Sequence, residues 1–218
     1  MEKSIENIWK EGFLKSDALI APKINNLYNQ KSIHIIDKFK RMFKINLIAI
    51  VAFSFIFLLV SYFVGIPLMG GIFFITLIVL VIINKRLLNG LELIDKGANS
   101  YEYLKAFNQW VKKQVAINKK ISTFLYPIIF MSFIIGFWFK DAEGVFLGER
   151  LVKALLIHFP DMHLIYGIPV IGLVVVILIL GLLAFFGGRI YLWDLNIIYG
   201  RVFKKLDELL TDLESLRS

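Results

Sequence analysis

Apolar and polar positions divide the chain into four long apolar runs and several amphipathic stretches between and around them. The longest run, 45–84, holds forty residues without one Asp, Glu, Lys, Arg or His. A single helix of that length would reach about 60 Å at ~1.5 Å per residue, twice the ~30 Å hydrocarbon core of a bilayer. The run must therefore fold back, and Gly65-Ile66-Pro67 is the place to turn. Proline suits the first turn of a helix, where its missing N–H would have no partner anyway. This predicts spans over 45–64 and 68–83, with Ser61 and Gly65 as a small-xxx-small pair. A third uncharged run, 121–139, contains Pro127, which predicts a kink. A fourth, 164–188, carries Gly167, Pro169, Gly172 and Gly181 and is long enough to tilt.

The amphipathic stretches read as helices too. In 22–44, Ile24, Leu27, Tyr28, Ile35, Phe39 and Met42 recur at roughly helical spacing. Earlier breaks are expected at Gly12 and at Ala21-Pro22. In 84–120, Leu87, Leu91, Ile94, Ala98, Tyr101, Leu104, Phe107 and Val111 form a seam of three- and four-residue steps. Gly97 marks a stop, and Asn99 with Glu102 resembles a capping box. The second span is thus expected to run on to about Lys96 and the chain to return as a helix from Asn99 to about Lys113. Trp110 belongs to the packing seam of this antiparallel hairpin. Within 140–163, Leu151, Leu155 and Phe159 share a face with Val152 and Leu156, opposite Glu149, Arg150 and Lys153. That is a short interfacial helix closed by Pro160. In 189–218, Ile198, Val202, Leu206, Leu209, Leu213 and Leu216 approach a heptad seam.

Composition and charge turn these elements into a topology. The chain has 218 residues, 58% of them hydrophobic, with a mean hydropathy of +0.71. Soluble folds sit nearer 45–50%. Of the 25 Lys and Arg residues, nine fall in 1–44, eight in 84–120 and five in 189–218; three fall in 140–163 and none in the 65–67 turn. Basic loops stay on the cytoplasmic side. The expected architecture is an all-α, polytopic integral protein of the bacterial inner membrane, with four transmembrane helices, cytoplasmic amphipathic helices, and both termini cytoplasmic. The first forty-four residues are polar and charged, which predicts no cleavable signal peptide. The net charge of +8 is assigned to anionic lipid headgroups, not to nucleic acid.

Cysteine is absent, which excludes disulfides, thiolate catalysis and Cys-ligated metals. None of the four runs contains an ionisable residue, whereas proton relays and ion-coupled carriers place such residues at membrane depth. Within the predicted spans 45–64, 68–83, 121–139 and 164–188 the only amide and aliphatic hydroxyl side chains are Asn46, Ser54, Ser61, Thr76, Ser122, Thr123 and Ser132. No Gly-rich phosphate loop, H-E-x-x-H or G-x-S-x-G motif is present, and no cofactor is expected. One cluster could bind zinc, His158, Asp161 and His163, with Asp141, Glu143 or Glu149 as fourth ligand. The alternative is a set of interfacial polar residues around a Pro-Asp turn. His34 stands alone on the helix leading to the membrane and reads as structural.

The segments Ile8-Trp9-Lys10-Glu11-Gly12-Phe13, Ala21-Pro22-Lys23-Ile24 and Leu27-Tyr28-Asn29-Gln30-Lys31-Ser32 resemble the opening of small multi-span bacterial membrane proteins found beside alternative sigma factor genes. The resemblance covers about fifty residues and implies a membrane-bound regulatory role of anti-sigma type. The chain departs from the zinc anti-sigma factors in lacking their His/Cys pattern. The leading expectation is a non-enzymatic regulator or scaffold whose cytoplasmic helices bind a partner protein. Leu206, Leu209, Leu213 and Leu216 are the candidate contacts, to a partner or to a second copy. A passive transporter or channel subunit, and a metal-dependent membrane enzyme at the His/Asp cluster, are the alternatives.

Overall fold

The computed structural model describes residues 5–94 and 100–215, with side chains from residue 30 onward. Its order is α1 (Ile5–Phe63), α2 (Pro67–Glu92), α3 (Ser100–Trp138), β1 (Asp141–Ala142), β2 (Val145–Phe146), α4 (Leu147–His158), β3 (Leu164–Ile165), β4 (Ile168–Pro169) and α5 (Val170–Ser215). The fold is all-α. Four of the helices are long and apolar enough to cross a membrane. Their charge-free portions, 45–63, 67–84, 121–138 and 170–188, each rise about 27–29 Å at ~1.5 Å per residue. That matches one bilayer core of ~30 Å.

The helices are longer than their apolar runs, and this is the main departure from expectation. α1 continues without a break at Gly12 or Pro22. The helix expected over 99–113 and the third span are one element, α3, with Pro127 inside it. The fourth span and the C-terminal helix are likewise one element, α5. Nothing at 113–121 or 188–190 stops a helix, because a change from charged to apolar residues leaves the backbone hydrogen bonds untouched. The stop and capping box expected at 97–99 fall outside the described residues.

The fourth span also starts later than 164. Residues 164–169 form the β3–β4 hairpin, and 141–146 form the β1–β2 hairpin. Each turns on two residues with positive φ, Glu143-Gly144 and Tyr166-Gly167. That is the two-residue hairpin geometry in which glycine is favoured. The hairpins carry the chain from α3 into α4 and from α4 into α5.

Inside the apolar zone the packing is close but narrow. A Cβ on Gly70 would lie within 3 Å of Ser61, and one on Gly136 would overlap Met69. Ser61 is thus the small residue that admits the close approach of Gly70 across the α1–α2 turn. The Phe57 and Phe73 rings sit 4.4 Å apart, and both approach Phe133 of α3 at 6.4 Å. At the α3–α5 crossing, a Cβ on Gly187 would stand 2.6 Å from the Ser122 carbonyl oxygen. Small residues let helix backbones approach this closely in lipid.

Beyond the apolar zone lies a second, denser layer. Here the N-terminal part of α1, the end of α2, the start of α3 and the end of α5 bury Ile36, Phe39, Phe43, Leu88, Leu91, Tyr103, Leu104, Phe107, Val111, Tyr199, Val202, Leu206, Leu209 and Leu210 in one core. We call this the basal end. Gly187→Ala should force α5 away from α3 and destabilise the protein by about 1–3 kcal/mol, read as a lower thermal midpoint in detergent. Gly181→Ala, where a Cβ meets nothing within 4 Å, should be neutral or slightly stabilising.

Candidate functional site

Two regions hold the residues singled out from the sequence. The first is the basal core. Phe39 of α1 is its hub. Its ring lies 5.1 Å from Tyr199, 5.4 Å from Phe107, 5.7 Å from Phe43, 5.9 Å from Trp110 and 6.1 Å from Phe203. Such aromatic contacts add ~0.5–1.5 kcal/mol each beyond simple burial. Trp110 stacks on Phe107 and donates its indole N–H to the Leu87 carbonyl at 3.0 Å. The Asn46 amide donates to the Tyr199 hydroxyl at 3.2 Å.

The C-terminal leucines belong to this core. Leu206 is 1% exposed and Leu209 8% exposed. Leu213 is partly buried against the same cluster, and Leu216 lies outside the described residues. The described part of the seam expected to hold a partner thus faces the chain's own helices. Of the other anticipated seams, Leu91, Leu104, Phe107 and Val111 are core residues, whereas Leu88 and Tyr103 were missed. In α1 the fully buried apolar positions are Ile36, Phe39 and Phe43; of the expected face, Phe39 is among them and Ile35 and Met42 pack partly buried against the same core.

Where the basal core meets the apolar zone, Asn84 and Asn118 exchange amide hydrogen bonds, each Nδ2 donating to the other's Oδ1 at 3.0 Å. Each also donates its second N–H to its own helix, Asn84 to the Leu80 carbonyl and Asn118 to the Gln114 carbonyl. Ser122 donates to the Asn118 carbonyl at 2.8 Å. Both amides are buried and all their donors are used. The only sequence signal was an Asn at the end of an apolar run.

Burial raises the phenol pKa values of Tyr103 and Tyr199; Asp37 adds to the first and Asp194 to the second, against a lowering by the Asn46 hydrogen bond. Tyr191 is raised too, chiefly by burial and then by Tyr199 and Asp194.

The second region is at the opposite end. α4 is an amphipathic helix packed on the end of α3, with Gly148 tight against the Trp138 ring. Beneath it is a cavity of about 1300 Å³, lined by Trp138 of α3, by Leu147, Leu151 and Leu155 of α4, and by Val170 and Leu173 of α5. His158, Asp161 and His163 all line it as well. The structure thus gathers the three sequence candidates at one rim. Among the described residues, no three His, Asp or Glu side chains converge as a metal-binding group. Several of the candidates are engaged elsewhere. His158 Nδ1 lies 3.1 Å from the Ala154 carbonyl. Asp141 accepts from the Gly144 N–H at 2.8 Å. Glu143 pairs with Arg150 at 3.0 Å, and Arg150 also donates to the Ala142 carbonyl. The cavity itself was not anticipated; the signal for it was the four-residue spacing of Leu147, Leu151 and Leu155.

Hydroxyls within the apolar runs turn inward on their own helices. Ser54, Ser61, Thr76 and Ser132 donate to the carbonyls of Val51, Leu58, Ile72 and Ile129. Comparison with protein-family models, with characterised proteins and with solved structures finds no match to this chain.

In a double-mutant cycle, Asn84→Leu or Asn118→Leu alone should destabilise by about 1–3 kcal/mol, because each orphans the other amide. The double variant should lose less than the sum, giving a coupling energy measurable by reversible unfolding in mixed micelles. The tyrosines give a pH test. A phenol whose pKa is raised on folding stabilises the fold below its unfolded value near ~10 and loses that contribution as pH climbs through the folded value. In an alkaline titration followed at 295 nm, the phenolates of Tyr103, Tyr191 and Tyr199 should therefore appear above pH ~10, together with loss of helical circular dichroism. Stability should be flat through neutral pH.

Proposed function

We propose that the chain is a non-enzymatic regulator or scaffold of the inner membrane, with both termini cytoplasmic and the basal layer presented to a cytoplasmic partner protein. The observation that carries this reading is helix continuity. α3 and α5 pass unbroken from the apolar zone into the basal core. From Arg189 to Ser215 α5 reaches roughly 40 Å beyond its apolar run at ~1.5 Å per residue. Spanning a bilayer requires none of that length. A packed helical layer held at the membrane surface is a rigid platform, and it is rigid because its core is aromatic and closed.

The distribution of Lys and Arg supports the orientation. The burial of Leu206 and Leu209 leaves the charged outer faces, with Lys112, Lys113, Arg201, Lys204 and Lys205 exposed, as the surface a partner would meet. The self-satisfied hydroxyls of the spans favour a regulator over a passive pore. An anti-sigma role is the specific form of regulator that the N-terminal resemblance implies.

A photo-crosslinking residue placed at Arg201 or Lys204 in living cells should give a discrete adduct with a cytoplasmic protein, and the same residue at Glu143 should not. A reporter fused after Ser218 should be active only in the cytoplasm. Absence of any adduct from Lys112, Arg201 and Lys204, or a reporter active only outside, would sink the reading.

A further inference from the structure

The cavity under α4 has walls and a rim of different chemistry. One wall is the stripe Leu147, Leu151 and Leu155 of α4; the opposite walls are the last turns of the apolar run of α3, around Trp138, and the first turns of α5, around Val170. The cleft, about 1300 Å³ in volume, is open on one side and almost wholly apolar in its lining. It exceeds the usual ~300–1,000 Å³ of ligand pockets. The α3 and α5 walls belong to helices long and apolar enough to span a membrane, so the apolar material that reaches them is the hydrocarbon of the adjoining leaflet.

The rim is polar and directional. His158 Nδ1 lies 3.1 Å from the Ala154 carbonyl, one turn back on its own helix. Three residues further on, Asp161 is exposed and, ionised, can only accept. The His163 carbonyl accepts the Val170 N–H at 3.1 Å, which ties the rim segment to the start of α5. The rim therefore carries one carboxylate, Asp161, together with the His158 and His163 rings, at the edge of an apolar cleft.

The geometry points to a binding site for a phospholipid of that leaflet with a primary ammonium headgroup. Its acyl chain lies in the apolar cleft, and its ammonium donates to the Asp161 carboxylate. A choline headgroup has no N–H to donate. A glycerol headgroup brings a net negative charge towards Asp161. The site is independent of the partner-binding reading, which concerns the other end of the molecule.

The test is native mass spectrometry of the full-length protein in detergent. Phosphatidylethanolamine, phosphatidylcholine and phosphatidylglycerol with identical chains would be added in equal amounts. The ethanolamine lipid should be retained about tenfold over the others, the effect of one charge-assisted hydrogen bond. Asp161→Asn, an isosteric change at an exposed position, should remove most of that preference. Leu151→Trp, which fills the chamber, should lower retention of all three lipids. Equal retention of the three headgroups, strongest retention of the glycerol lipid, or a preference unchanged by Asp161→Asn would each overturn the proposal.

Discussion

The structure depends on the convergence of α1, α3 and α5 around the Phe39 ring. In lipid, apolar side chains gain little by leaving their surroundings, because acyl chains are as apolar as leucine. In water the same burial is worth roughly 25 cal/mol per Å². The two halves of this molecule show the difference. In the most apolar window of each of the four membrane helices, between 6% and 28% of the residues are buried inside the protein. In the basal layer Phe39, Phe107, Leu104 and Leu206 are almost completely enclosed. The hydrophobic force that holds the helices together thus acts mainly outside the apolar zone. The contacts within that zone refine the arrangement through glycine approaches and stacked phenylalanines.

The Asn84–Asn118 pair stands at the junction of these regimes. Apolar packing is tolerant of sliding; a reciprocal amide pair is not. A shift of α2 against α3 by one turn would leave both amides unpaired in a buried place, at a penalty of about 1–3 kcal/mol for each. The pair therefore sets the register of the α2–α3 hairpin, and with it the positions of Leu88, Leu91, Phe107 and Trp110 in the basal core. Because α3 is unbroken, that register also extends along it to the far end.

At the far end the opposite choice is made. α4 buries only Gly148 and Val152 of its residues and leaves its leucine stripe facing a chamber. The two hairpins hold it in place with short turns that need positive φ. One end of the molecule is a closed core and the other an open apolar space with a polar rim, joined by continuous helices.

Much of this was legible in the sequence. Charge-free runs of bilayer length, the turn at Gly65-Ile66-Pro67 and the amphipathic face of α4 follow from local periodicity and from the absence of charge. These are properties of single segments. The sequence was less able to say where helices end, because a switch from apolar to charged residues changes the solvent of a helix and not its hydrogen bonds. Hence α3 and α5 are single helices where two were expected in each case. In α1 the expected face, Ile35, Phe39 and Met42, does meet the core, but its centre lies on Ile36, Phe39 and Phe43, since neighbouring apolar positions such as Ile35 and Ile36 compete. Only the tertiary structure decided that Leu206 and Leu209 are used within the chain, that Asn84 meets Asn118 across 34 residues, and that His158, Asp161 and His163 rim an apolar cavity instead of converging on one point. Each of these depends on how far apart separate helices stand, and no single segment carries that distance.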